Sequence, residues 1–329
     1  GDPPKSLWPF MEWTLRCAWP ILFFASGVAF LAGSTEVFTA YLLGLAIDSA
    51  SGSTEGYFAN NQGLIIAFFA FFVLLKPLNF GVLATMTSLV VAPQIAIQVA
   101  VRLHRWTLKQ PVEFFDNDFA GRIAQKQAQT SNAVANVVVE VINTVFFALA
   151  SVVGSVILIF TLDLQIASSM LFWVFLYFAM ISWVMTRLRA SSKDRAASRA
   201  VVSGQIVDTI TNIKTVKLFA NSQHEDSVAL DAMGVFRDKM VTYGVLSSAF
   251  RFTLMAFAGT LPLLLIGGTV LLWTNGDATA GAIATSAAVA IRLSQMTGWV
   301  SFTLMGIYSN IGEAEDGMKT LTPSPDVLD

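Results

Sequence analysis

Cysteine, histidine and charge are all scarce in this sequence. Cys17 is the only cysteine among the 329 residues, and His104 and His224 are the only histidines. A single thiol excludes an intrachain disulfide and a cysteine-based metal site, and two histidines so far apart in the chain make no evident cluster. Charged residues are 13% of the chain, against roughly 25% in a soluble domain. Proline is absent between Pro111 and Pro262, so little interrupts a helix there. What is abundant is apolar: 55% hydrophobic and 12% aromatic residues, with a mean hydropathy of +0.64. These values exclude an ordinary soluble domain and point to a membrane protein. The net charge of -2 says little, because the information lies in where the charges fall, and nothing in their pattern points to nucleic acid.

Six apolar segments are long enough to cross a hydrocarbon core of about 30 Å, which takes ~20 helical residues. Their cores lie near 20–43, 64–86, 138–160, 165–186, 247–272 and 281–304. The runs are continuous and do not alternate, which favours helices over a barrel. The expected fold class is therefore an all-α membrane protein with six long transmembrane helices. The connections "DSASGSTEGYFANNQG", "TLDLQ" and "TNGDATA" contain no Lys or Arg; their charges are acidic, among them Asp48, Asp163 and Asp277. Basic residues gather on the other side, so the positive-inside rule puts both termini in the cytoplasm. The N-terminal stretch has a basic flank and an apolar run, as a cleaved signal does. Asp2 and Glu12 in the flank, and an apolar run that continues past Ser34 to Ile47, argue against cleavage.

The inner connection from Arg187 to Tyr243 is long and polar. Ile206, Ile210, Ile213 and Val216 recur in it at helical spacing. Two arms of this length at 1.5 Å per residue reach ~30 Å beyond the membrane. The five basic residues between Arg187 and Arg199 read either as solvated helix or as a lipid-binding patch.

Four ionisable residues fall within or at the edge of the spans: Glu36, Lys76, Arg251 and Arg292. Lys76 and Arg292 lie roughly 18 Å in from the outer ends, near mid-bilayer. A charge there costs ~2.5–3.5 kcal/mol on insertion scales, and usually faces a cavity or a partner. Glu36, Lys76 and Arg292 are therefore candidate substrate-cavity residues. The alternative is an internal ion pair, for instance Glu36 with Lys76, joining spans one and two. Arg251 reads as an interfacial anchor, Pro77 and Pro262 as kinks, and "SLWPFMEW" as a segment lying at the inner interface.

One stretch, "EFFDNDFAGRIAQK" (113–126), is polar in a chain that otherwise avoids charge. Phe114, Phe115 and Phe119 offer apolar anchors, Asp116 and Asp118 can cap a helix, Gly121 allows close backbone approach, and Arg122 supplies a planar fork for a carboxylate. A docking element and a turn that packs only on itself both satisfy these residues. The stretch resembles the first cytoplasmic loop of ABC exporter membrane domains. "DTITNIKTVKLFANSQHED" (208–226) resembles the second. "LLGLAID" (42–48), "TLDLQIA" (161–167), "GDATAGAI" (276–283) and "GEAEDGMKTLTPSPDVLD" (312–329) are weaker likenesses in the right order along nearly the whole chain.

This resemblance implies an ABC exporter transmembrane-domain fold with cytoplasmic helical extensions, in a domain-swapped dimer. Residues 1–18 would be an interfacial elbow segment, 19–311 the six-helix transmembrane domain and 312–329 a linker toward a nucleotide-binding domain. It implies coupling to that domain through Phe114, Phe115, Asp116, Gly121 and Arg122 at one tip, and through Asp208, Asn212, Thr215 and Phe219 at the other. The implied partners are a second copy or a homologous half-transporter, the nucleotide-binding domain, membrane lipids and a substrate the sequence does not name. The implied location is the bacterial inner membrane. Two departures stand out. The family commonly carries Asp shortly after the first coupling helix, where this chain reads "TSNAV" with Asn132. There is also no G-x-x-x-x-G-K-[ST] loop and no LSGGQ-like segment. The chain as it stands is thus expected not to hydrolyse ATP, with ATP and Mg held elsewhere and "KTLTPSPDVLD" an interrupted linker. A secondary transporter or channel, or a six-span receptor or scaffold, are the competing readings. Against the former, only Glu36 offers an intramembrane carboxylate.

Overall fold

The computed structural model describes residues 3–52, 56–116, 120–218 and 222–321, and among them no strand occurs. Helix α1 (Leu7–Leu15) turns into α2 (Trp19–Ala50) through Cys17, whose φ of 109° is a conformation L residues rarely adopt. A single helical turn, Tyr57–Asn60, precedes α3 (Gln62–Thr107). Then come α4 (Val112–Asp116), α5 (120–160), α6 (Leu164–Thr211), α7 (Ile213–Leu218), α8 (Ser222–Thr274) and α9 (Ala280–Leu321). α9 thus continues through 312–321, residues the sequence assigns to a linker.

Five described helices are long and apolar enough to cross a membrane: α2, α3, α5 over Ile123–Phe160, α6, and α8 over Ser227–Thr274. α9 contains the sixth expected span. It has ample length at 42 residues but is less apolar, because it carries Arg292 and Gln295 and mixes hydroxyl residues with the apolar ones on its inner face. Thr285, Ser286, Thr297, Ser301 and Thr303 are all buried. Three of these hydroxyls bond close by: Ser301 donates to the Thr297 carbonyl at 2.6 Å, Thr297 donates to the Ser294 carbonyl at 2.6 Å, and Ser286 and Thr269 share a hydrogen bond of 2.7 Å.

α3 stays continuous past two prolines by widening its turns. The stretches Ala70–Leu75 and Met86–Val91 are π-helical, and each ends just before a proline, Pro77 or Pro93. Proline offers no N–H and crowds the carbonyl four residues back; a π-bulge accommodates both within one helix. A third π-helical stretch, Val141–Phe146 in α5, has no proline behind it. Pro262 lies inside α8 without ending it.

The chain divides into two compact units, 1–170 with 261–329, and 171–260. In the first, α9 packs on α2 and α5, α2 on α5, and α3 on α5. Ala25, Ala29, Ala32, Ala133, Val134 and Ala290 are fully buried there, small side chains that let helix backbones approach. α1 lies against α3: Phe10 is fully buried, Gln98 Nε2 donates to the Thr14 carbonyl at 2.7 Å, and Arg102 donates to the Trp13 carbonyl. The second unit joins α6 to α8 through long side chains. Trp173 stacks on Phe257 at 4.8 Å and donates from Nε1 to Thr260 Oγ1 at 2.9 Å. Arg195 lies over the Tyr243 ring at 4.0 Å.

Candidate functional site

Within the first unit, three of the four charges expected in the spans converge from three helices. Glu36 on α2, Lys76 on α3 and Arg292 on α9 form a triad. Lys76 Nζ is 3.2 Å from Glu36 Oε1, and Arg292 Nε is 3.6 Å from Glu36 Oε2. Lys76 Nζ also reaches Thr39 Oγ1 at 3.5 Å. The Glu36 side chain is 11% exposed, Lys76 26% and Arg292 40%. The ion pair weighed for Glu36 and Lys76 is therefore present, with Arg292 as a second cation on the other carboxylate oxygen. Lys76 follows directly on the first π-helical stretch of α3, where the widened turn sets its direction apart from that of a regular helix.

The two cations are not equivalent. The gap beside Glu36, bordered by Val37, Ser151, Ser155 and Arg292, is about 10 Å³, scarcely the room one water needs. On its other side Arg292 lines an open recess of about 320 Å³ with Phe80, Leu83, Asn143, Phe147, Gln295, Met296 and Trp299. Lys76 does not line this recess. The Phe80 and Phe147 rings meet edge-on at 5.9 Å, as do Phe147 and Trp299 at 6.0 Å, and the Arg292 guanidinium carbon lies 5.9 Å from the Phe147 ring centre. Arg292 Nε is shielded and has no hydrogen-bond partner among the described residues. The aromatic and amide walls are not singled out by the sequence reading. Their only signal is helical spacing: Asn143 and Phe147 on α5, and Arg292, Gln295, Met296 and Trp299 on α9.

The coupling-loop residues lie apart from this triad. Phe114, half-buried, and Phe115, exposed, stand on α4 with rings edge-on at 5.2 Å. Asn212, at the break between α6 and α7, accepts a backbone bond from Val216 at 3.1 Å, and Thr215 on α7 is exposed. Phe119, Asp118 and Phe219 lie outside the described residues, as do the surroundings of Gly121 and the side chains of Asp116, Arg122 and Asp208. Arg251 is exposed on α8.

Two acidic residues from the Lys- and Arg-free connections act as helix caps. Asp163 Oδ1 accepts the Gln165 and Ile166 amides at 2.7 and 2.9 Å, opening α6. Asp48, at the end of α2, accepts the Gly281 amide at 2.7 Å and the Thr279 hydroxyl at 2.9 Å, opening α9. A Cβ on Gly281 would overlap the Asp48 carboxyl and the Gly44 carbonyl oxygen. The stretches 42–48 and 276–283 therefore meet in one seam.

Comparison with known proteins agrees with this architecture. The family described as "ABC transporter transmembrane region" matches residues 22–295. An uncharacterized ABC transporter ATP-binding protein of Haemophilus influenzae is 30% identical over 231 residues, which is 69% of this chain and 37% of that protein. A bacterial Atm1-family ABC exporter, solved with ATP bound, superposes with a TM-score of 0.73 at 14% identity, covering 93% of this chain and 54% of that one. The chain thus spans well under two thirds of either relative's length. None of these likenesses favours a secondary transporter, a channel or a receptor. The continuous match over 22–295, on a bundle of membrane-length helices with the exporter fold, places this chain in the ABC transporter transmembrane region family.

Proposed function

We propose that the chain is the membrane-spanning translocation part of an ATP-driven exporter, working as a pair of such domains, each joined to a nucleotide-binding domain that holds ATP and Mg. The observation that carries this reading is the family match over 22–295. The helices support it mechanically. α6 continues about 25 residues past Arg187, some 37 Å at helical rise, before α7, so a displacement at its tip can act as a lever on its apolar part. On this reading α9 is the sixth crossing, both termini are cytoplasmic, the site is a bacterial inner membrane, and α4 and α7 are the docking tips. Pairing, with a second copy as the simplest partner, fits the exposed Ile206, Ile210 and Ile213 on the arms.

The test uses the full-length protein with its nucleotide-binding domain, in nanodiscs. On a Cys17→Ser background, since Cys17 is exposed, spin labels on cysteines placed at Ser51 and Asn275 report distances at the acidic end of the bundle. ATP with vanadate is expected to change that distance in the wild type. Phe115→Ala with Arg122→Ala, or Thr215→Ala with Phe219→Ala, should leave ATP hydrolysis running while abolishing the change. An unaltered distance change in both double variants would exclude the tips as transmission joints.

A further inference from the structure

We propose that the recess between α3, α5 and α9 is a binding site for the anionic headgroup of an aromatic amphiphile, with Arg292 as the anion-binding residue and Glu36 as its internal competitor. This deepens the transport reading above, on which its physiological meaning rests.

The charge balance of the triad comes first. Lys76 pairs with Glu36 at 3.2 Å, whereas Arg292 stands at 3.6 Å and its shielded Nε makes no hydrogen bond. One carboxylate thus serves two cations and satisfies the nearer one. The surplus positive charge resides on Arg292, which alone of the three lines the recess. Among the described residues no other charged side chain lines it, and Asn143 and Gln295 add amide groups able to donate. A guanidinium partly removed from water, and short of acceptors, favours a carboxylate, sulfonate or phosphate that can engage its planar fork. A cationic ligand would meet like charge with no carboxylate among the lining residues.

The remaining walls set the rest of the ligand. Phe80, Phe147 and Trp299 present faces and edges suited to a planar ring. At about 320 Å³ the space is at the low end for ligand pockets, so it takes a headgroup with one ring system and leaves any longer tail outside. Asn143 belongs to the π-helical stretch of α5 that no proline explains; such bulges recur where a helix must redirect a side chain for function.

The experiment compares two probes with the same ring and opposite charge, 2-naphthalenesulfonate and naphthyltrimethylammonium, titrated calorimetrically into the chain in zwitterionic nanodiscs. The wild type should bind the sulfonate about tenfold tighter, or 1.4 kcal/mol. Arg292→Gln should bring the two probes within about twofold, Arg292→Lys should keep part of the preference, and Glu36→Gln should tighten sulfonate binding by freeing the guanidinium. Equal affinity of both probes for the wild type, or a preference that survives Arg292→Gln, overturns the proposal. Unchanged sulfonate affinity in Glu36→Gln overturns the competitor role. No nucleotide is needed. A chain that binds the sulfonate selectively but shows no nucleotide-driven motion at full length overturns the transport reading alone, and the converse result overturns this one alone.

Discussion

At the scale of the residue, Glu36 is the keystone of the first unit's polar interior. It offers one carboxylate to Lys76 and Arg292, so deletions of the three should be unequal. Lys76→Met leaves Glu36 with Arg292 and a neutral pair. Glu36→Met leaves two cations facing each other without a counter-charge. Breaking a fully buried pair costs about 3–5 kcal/mol; the partial exposure of both cations brings the expected cost of Glu36→Met down to about 1–3 kcal/mol. Thermal unfolding in mild detergent should rank Glu36→Met well below Lys76→Met, and equal midpoints would contradict a shared carboxylate. The sequence made these charges conspicuous because the surrounding residues are apolar, and so the three could be singled out together. It did not reveal that Arg292 lies on the far oxygen of Glu36, since facing depends on the rotation of α9 about its axis. It was also silent on Phe80, Asn143 and Gln295, which are ordinary residues for a span until the packing of three helices brings them together.

At the scale of the element, apolar runs locate helices well and their interruptions poorly. The expected cores all fall inside long helices, because backbone in lipid has no alternative hydrogen-bond partner. The departures have local causes. α9 buries the hydroxyls of Thr285, Ser286, Thr297, Ser301 and Thr303 alongside its apolar groups, so its composition understates its place in the interior. Pro77 and Pro93 produce π-bulges and not breaks, while nothing in the sequence marks the bulge at Val141–Phe146. The α2–α9 seam provides a direct check. Gly281→Val puts a branched side chain against Asp48 and the Gly44 carbonyl and should cost roughly 1–3 kcal/mol as overpacking. Asp48→Ala, which removes only the cap on α9, should cost about 1 kcal/mol. At ~2–4 °C per kcal/mol for domains of 150–250 residues, both should lower the unfolding midpoint, with Gly281→Val at least as severe. A wild-type midpoint for Gly281→Val would show that the seam is not closed in the membrane.

At the scale of the whole molecule, the second unit leaves its apolar residues in an unusual place. The stretch from Arg187 to Tyr243 is the one whose charge pattern assigns it to the aqueous side, yet Val207 is 63% and Ile210 65% exposed there, and Ile206 and Ile213 each 40%. Lipid cannot cover residues that lie beyond the headgroups, and apolar patches on water-facing helices mark interaction surfaces. A paired arrangement, as proposed above, would cover them with a second chain. Single cysteines at Ile206, Ile210 or Ile213 should therefore yield a dimer band in native membranes with a flexible bifunctional maleimide. The experiment needs a Cys17→Ser background, because Cys17 is exposed and would react too. Val207→Glu with Ile210→Glu places two charges on the same face. It should shift the detergent-solubilised protein toward monomer without unfolding it, since neither side chain contributes to the buried core. Monomer at every concentration, with no cross-link from any of the three positions, would mean that something other than a second copy covers the arms. The double-Glu variant dimerising as well as the wild type would place the pairing surface elsewhere on the bundle.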